Sequence, residues 1–234
     1  STMSTSYDVR LLHKKQVAEG TMEFTLEKPP GFEYRAGQFG DLVLPPSTGL
    51  TGDNAKHGFS FVSAPFEDTL RMATRMRSTS AFKNAAAQLP DGTLVQLLAL
   101  WGDFVLHKNA AVPAVFVIGG IGITPVRSII AQATHDKAPH KITLIYANRT
   151  PALAAYADEL QSLAVENKNF TFVPVYTDTQ GRVSAATLRQ HVADIGASRF
   201  YLAGPEGMVK AMRALLDEVG ADEDNIRTEE FEGY

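Results

Sequence analysis

The chain has 234 residues, 44% apolar and 21% charged, with a formal net charge of −4 and no cysteine. That length and balance suit two compact lobes with real cores. They exclude disulfides, thiolate nucleophiles and cysteine-held clusters, and the lack of any basic block excludes the electrostatic footprint of a nucleic-acid binder.

The N-terminus "STMSTSYDVR" has no apolar signal core, and no apolar run approaches the roughly 20 residues that span a bilayer. A cytoplasmic location is expected, and the Ser-Thr ahead of Met3 is set aside as an appended remnant. From there to residue 110, short segments rich in β-branched and aromatic residues ("VRLLHK", "TMEFTLE", "QFGDLVL", "FSFVSA", "LRMATRM", "TLVQLLAL") alternate with the turns "KPPG", "RAGQ" and "LPDG". They predict an antiparallel barrel or sandwich. The polar connection over 45–58 is either a binding loop or a tolerated insertion. One helix interrupts the strands at 80–89, where Ala81, Phe82, Ala85, Ala86 and Leu89 share a face and Ser80 is the N-cap.

Near residue 112 the rhythm changes to strand then helix: "AVFVIGG", "TPVRSIIAQATHDK", "KITLIYA", "LAAYADELQSLAVEN", "FTFVPVY", "SAATLRQHVADIG", "RFYLAG", "EGMVKAMRALLDEVG" and a closing "NIRTEEF". Alternation with all-apolar strands predicts a doubly wound parallel sheet covered on both faces. Two domains follow, 3–110 and 111–234.

The first strand-to-helix turn of the second domain reads "VFVIGGIGITPVRSII". Gly119, Gly120 and Gly122 permit positive φ and close backbone approach. Thr124 is expected to cap the next helix, with Pro125 at its first position, where a missing N–H costs nothing. Free N–H groups and the helix dipole, worth about 0.3–1 kcal/mol, would then favour an anion such as pyrophosphate. A tight structural turn accounts for such glycines equally well. The acidic ribose ligand usual after the second strand is replaced by Asn148, Arg149 and Thr150.

"GGIGITP", "YLAGPEGM" and "EEFEGY" together resemble the ferredoxin–NADP reductase family of two-domain flavoproteins. The resemblance implies an antiparallel β-barrel flavin-binding domain (3–110) followed by an α/β doubly wound NAD(P)-binding domain (111–234). The family's flavin motif, Arg-x-Tyr-Ser, falls on His57, Gly58, Phe59 and Ser60. Phe59 would then pack on the isoalloxazine and Ser60 would sit near flavin N5 as a catalytic residue. His57 is a departure, since an imidazole is a poorer phosphate partner than a guanidinium, and Arg75 or Arg77 would supply the charge. Ser78, Thr79 and Ser80 resemble the helix start that binds the flavin pyrophosphate. Gly119, Gly120, Gly122, Thr124 and Pro125 would hold the dinucleotide. Gly204 and Pro205 lie in the segment where many members carry Cys-Gly-Pro and this chain carries Ala203. Tyr234 would cover the flavin as a second catalytic residue, with Phe231 as a buried anchor.

FAD is the implied cofactor, with FMN as second choice, and NADPH or NADH the substrate. Arg149 and Arg182 suit a 2′-phosphate and Asp178 opposes it, so the choice stays open. No metal is expected. The function implied is an NAD(P)H oxidoreductase that passes electrons through FAD to a separate acceptor such as ferredoxin or flavodoxin. Two alternatives stand beside it: a free-flavin or ferric-chelate reductase, and a non-catalytic nucleotide-binding module with a decayed flavin site.

Overall fold

The computed structural model describes residues 5–231. The first sheet has six antiparallel strands, β1 (Thr5–Ala18), β2 (Thr21–Glu27), β3 (Phe39–Val43), β4 (Lys56–Ser60), β5 (Thr69–Arg75) and β6 (Leu94–Trp101), in the order β4-β3-β6-β1-β2-β5. β1 spans both halves of the sheet. Thr5 to Arg10 pair with β6, and from Leu11 onward, with an irregularity between Leu11 and His13, the strand pairs with β2. The two ends of the sheet meet through a Phe61–Met72 bridge, so the sheet curls into a barrel. The barrel interior holds Val9, Leu11, Phe24, Phe61 and Leu97, plugged by Phe82 from α1 (Ala81–Gln88). Ser80 caps that helix by accepting a hydrogen bond from the Lys83 amide at 3.2 Å, as its sequence position predicts. The polar 45–58 segment contains two 3₁₀ turns, Pro46–Thr48 and Gly52–Ala55, and runs directly into β4.

The second sheet is parallel, with β7 (Ala114–Gly119), β8 (Ile142–Asn148), β9 (Phe170–Tyr176), β10 (Arg199–Gly204) and β11 (Ile226–Glu230) in the order β11-β10-β7-β8-β9. Every residue of β7 is buried, as expected of a central strand covered on both faces. Pro174 sits on β9, an edge strand, where its missing N–H removes no ladder bond on the outer side. α2 (Ile123–His135) and α3 (Ala157–Glu166) pack with Phe116, Leu144 and Tyr146 on one face. α5 (Ala185–His191), which follows the single turn α4 (Thr177–Gln180), and α6 (Glu206–Glu218) pack with Val117, Ile145 and Leu202 on the other. The chain moves from β7 to β8 on one side and later to β10 on the other. That reversal opens a crevice at the carboxyl ends of β7 and β10.

α3 begins later than its apolar pattern suggests. A 3₁₀ turn at Pro151–Leu153 and a left-handed Tyr156, at φ +64°, precede it. That detour brings Tyr156 OH 2.9 Å from Glu23 of the barrel and the Ala152 carbonyl 2.9 Å from the Glu19 amide. Val62, Ala73 and Phe104 extend the same apolar cluster across the domain contact. Beside it, Arg71 lies 3.0 Å from Glu23 and 3.8 Å from Glu159, and Arg127 of α2 pairs with Glu67 and approaches Glu159 at 3.5 Å. Ser128 Oγ donates to the Ser63 carbonyl at 2.8 Å. The two lobes are therefore joined by an apolar seam and an alternating charge network, which fixes how the site's two halves face each other.

Candidate functional site

β7 hands its chain to α2 through a 3₁₀ turn over Gly120–Gly122. Gly120 has φ +51°, a conformation side chains rarely adopt. At Gly122 the constraint is space, because a Cβ would stand 2.5 Å from the Ala203 carbonyl and 2.7 Å from the Gly204 nitrogen. The turn thus lies directly on the end of β10. The expected cap differs from the observed one: the 3₁₀ turn runs straight into the helix, so α2 starts at Ile123 with Gly122 at the N-cap and no side-chain cap. Thr124 is the second helical residue and Pro125 the third, both buried. Pro125 is still within the first turn, where its absent N–H costs no intrahelical bond.

Beside this turn lies a cleft of about 660 Å³. Gly119, Gly120 and Ile121 form its floor, and Tyr146, Asn148 and Arg149 at the end of β8 form one wall. Pro205 and Met208 of α6 close another side, with Thr177 and Arg182 at the end beyond β9. Thr21 and Arg75 reach in from the barrel. Three guanidiniums and no carboxylate are among these lining residues, a charge balance that suits a polyanion. Asn148 is buried, its side chain lies against the Tyr146 hydroxyl, and its Nδ2 makes no hydrogen bond of good geometry among the described residues. Buried donors are nearly always paired, so this one fits a ligand acceptor. The Arg75 guanidinium donates to the Glu19 carbonyl at 2.5 Å and to Thr21 Oγ1 at 3.2 Å, which fixes it on the cleft wall.

At the flavin motif, Phe59 of β4 and Phe61, just past its end, lie in the barrel core, and Ser60 between them turns to the other face. Ser60 is 5% exposed and precedes Val62, which joins the interdomain cluster. Phe59 is 1% exposed. The His57 ring stacks on it at 4.4 Å, and Phe82 packs on both rings. His57 Nδ1 lies 2.8 Å from the Gly58 carbonyl, so that nitrogen carries the proton. Burial lowers the imidazole pKa and thus favours the neutral ring. At Gly58 a Cβ would stand 3.1 Å from Asp41 Oδ1.

Arg77, Ser78 and Thr79 are exposed ahead of α1, and Ser78 accepts from Asn84 Nδ2 at 2.9 Å. Lys83 is a residue that sequence reasoning missed. It is 1% exposed, donates from Nζ to the Arg75 carbonyl at 2.8 Å, and has its pKa pushed down to about 8 by burial and then by Arg77 and Arg75. Cations crowded beside an open helix start fit an anionic group such as a flavin pyrophosphate. Only its position three residues after the Ser80 cap hinted at it.

Gly204 and Pro205 form the lip of the crevice, and the Phe231 amide donates to the Gly204 carbonyl at 2.9 Å. Phe231 is buried in the interdomain cluster. Glu229, also missed, pairs in register with Ala203, and burial, then Asp103, pushes its carboxyl up to about 7. Tyr234 lies outside the described residues. The structure therefore brings Gly119, Gly120, Arg75, Arg149 and Pro205 around one cleft, and His57, Phe59, Arg77, Ser78, Thr79 and Ser80 around the α1 end of the barrel.

The sequence pattern of the oxidoreductase NAD-binding domain family matches residues 116–214. The chain is 27% identical over 220 residues to the reductase component of a propane 2-monooxygenase from Rhodococcus jostii, covering 87% of this chain and 57% of that protein. It is 24% identical over 242 residues to ferredoxin–NADP reductase B of Sorangium cellulosum, covering 97% of this chain and 98% of that one. It spans about half the length of several relatives it matches, 46% in the case of a Deinococcus radiodurans flavohemoprotein. A ferredoxin NADP⁺ reductase from Neisseria gonorrhoeae, solved with FAD and NADP, superposes with a TM-score of 0.81 at 22% identity, covering 96% of this chain and 98% of that one. An oxidoreductase NAD-binding segment placed behind an antiparallel barrel is the arrangement of this chain, and its two-domain fold is similar to that of the Neisseria ferredoxin NADP⁺ reductase.

Proposed function

We propose that the chain is an NAD(P)H-dependent flavoprotein reductase that passes electrons through FAD to a separate acceptor such as ferredoxin or flavodoxin. In this reading residues 3–110 hold the flavin and residues 111–234 the nicotinamide nucleotide. The observation that carries it is the cleft of about 660 Å³ at the strand reversal, with a glycine floor, three guanidiniums and a buried amide donor without a hydrogen bond of good geometry among the described residues.

The roles follow from the residues. N–H groups of the Gly119–Gly122 turn and the first turn of α2 hold the dinucleotide pyrophosphate, and Asn148 Nδ2 donates to a ligand oxygen. Thr124, buried behind the turn, supports it. Ser78, Thr79 and Ser80 present the α1 start to the flavin phosphates, with Arg77 and Lys83 supplying the charge that His57 does not. Arg75 stands on the wall between the two sites. Bound FAD would supply the chemistry, taking a hydride from the nicotinamide and releasing electrons one at a time. Ser60 on β4 would hydrogen-bond near the reacting edge, with the Arg127–Glu67 contact keeping the domains in register for it. Tyr234 is proposed as the flavin's cover. Among the described residues no helix is long and apolar enough to cross a membrane.

Reconstitution with FAD tests this reading. Retention of visible flavin absorption through gel filtration, with bleaching by NADH or NADPH and turnover with ferredoxin or flavodoxin, supports it. Failure to retain FAD or FMN favours the non-catalytic nucleotide-binding module, for which the His57 ring already packed on Phe59 is the motivating observation.

A further inference from the structure

Resting on the nucleotide reading above, we propose that the Arg149–Asp178 pair selects a dinucleotide without a 2′-phosphate, making NADH the preferred reductant. Arg149 ends the wall formed by β8, and Asp178 follows Thr177, which lines the same end of the cleft. The two residues are tied twice. Arg149 Nε lies 3.4 Å from Asp178 Oδ1, and the Asp178 amide donates to the Arg149 carbonyl at 3.1 Å. The backbone bond holds the two residues side by side, which keeps the carboxylate within reach of the guanidinium.

Both side chains are largely exposed, 75% for Arg149 and 47% for Asp178, so the pair adds little to stability. Its effect falls on what binds beside it. A guanidinium already facing a carboxylate has part of its charge neutralised, and a phosphate dianion gripping it would approach Asp178 as well. A ribose 2′-hydroxyl reverses the sign, because it donates to the same carboxylate. The second oxygen of Asp178 makes no hydrogen bond among the described residues.

The other two arginines of the cleft do not restore a phosphate site. Arg75 is held on the barrel wall by the Glu19 carbonyl and Thr21. Arg182 follows Gly181, which has φ +78°, and is exposed, so recruiting it would mean ordering a long solvated side chain.

ADP-ribose and 2′-phospho-ADP-ribose differ only in the group at issue and undergo no redox chemistry. Titrated calorimetrically into the full chain, ADP-ribose is expected to bind at least about tenfold more tightly, the order set by one carboxylate facing a dianion near water. Asp178→Asn should bring the ratio toward unity, and Asp178→Arg should invert it. Equal or tighter binding of the phosphorylated ligand by the unaltered chain overturns the proposal, as does a ratio unmoved by Asp178→Asn. Binding of neither ligand overturns the nucleotide reading itself, and this selection with it.

Discussion

His57 lies flat on Phe59, ring centroids 4.4 Å apart and planes 18° from parallel. The stack ties the surface of β4 to the barrel core, where Phe59 is 1% exposed. Phe59→Ala should therefore cost about 3–5 kcal/mol in urea unfolding, whereas Phe59→Tyr should test whether the core admits a hydroxyl at that depth. His57 adds a pH dependence. Its folded pKa is lowered by burial, so the unfolded chain binds the proton more readily, and stability falls as pH drops below the ordinary value of 6.5 toward the folded value. His57→Gln should flatten that step in a stability–pH profile.

A second acid-sensitive contact joins the lobes. Burial opposes the charge on Glu67, but the Arg127 hydrogen bond, the Ala64 amide and the charges of Arg127 and Arg71 outweigh it and hold the carboxyl below 4.5. A depressed carboxylate stabilises fully above its unfolded pKa and loses that contribution as pH falls through the folded one. The lobes should loosen below about pH 4.5, read as faster limited proteolysis of the 102–113 connection. Arg127→Ala should cost about 1–3 kcal/mol at neutral pH, because it removes a charged hydrogen bond between the lobes while Glu67 keeps the Ala64 amide and Arg71. Glu159→Gln, at a 42% exposed carboxylate, should cost under about 1 kcal/mol.

Lys83 gives a dependence of the opposite kind. With a folded pKa of about 8, it loses its charge in the free protein as pH rises past that value. An anion bound at the α1 start would take up that proton. Affinity for FAD should therefore fall above pH about 8, with a break that disappears in Lys83→Gln. A titration of flavin fluorescence across that range measures it, and an unbroken profile in the unaltered chain would remove Lys83 from the phosphate site.

These residues also show where the sequence is readable. The strand–helix alternation was legible because runs such as residues 114–119 are apolar throughout and are buried at every position. The glycine turn was legible because its spacing joins two apolar segments. The helix start was not, since a 3₁₀ turn shifts the cap from Thr124 to Gly122 and leaves no side-chain signature. Lys83, Arg75 on the cleft wall and the Arg127–Glu67 contact were hidden for another reason. Each depends on residues brought together by the fold, 60 positions apart in the case of Arg127 and Glu67. Local pattern carries no record of such pairings. The role expected of Phe59 was drawn from a motif, and the motif does not encode that β4 turns this ring into the core.

Gly122 offers a sharper test of the turn. A Cβ there would stand 2.5 Å from backbone atoms of Ala203, which cannot move aside as a flexible side chain would. Gly122→Ala should cost about 1–3 kcal/mol through displacement of β10 or α2. It should also abolish detectable ADP-ribose binding even where the protein remains folded by circular dichroism. Gly196→Ala, away from the cleft lining and with only ordinary contacts of 3.8 and 3.9 Å around the added carbon, should do neither.

Asn148 separates stability from function most cleanly. Its Nδ2 is buried and makes no hydrogen bond of good geometry among the described residues, a condition that costs about 1–3 kcal/mol relative to a satisfied or apolar group. Such a cost is retained where a ligand meets the donor, as at other sites that sacrifice stability for binding. Replacing the amide by an apolar side chain of similar reach, Asn148→Leu, should therefore leave the ligand-free protein as stable or about 1 kcal/mol more stable. The same change should weaken ADP-ribose binding about tenfold, the order expected for one lost hydrogen bond in a desolvated site. Thermal unfolding with and without ADP-ribose reads both effects in one experiment. A variant that loses stability while keeping its affinity would show that the amide serves the fold, and that the cleft binds its ligand without it.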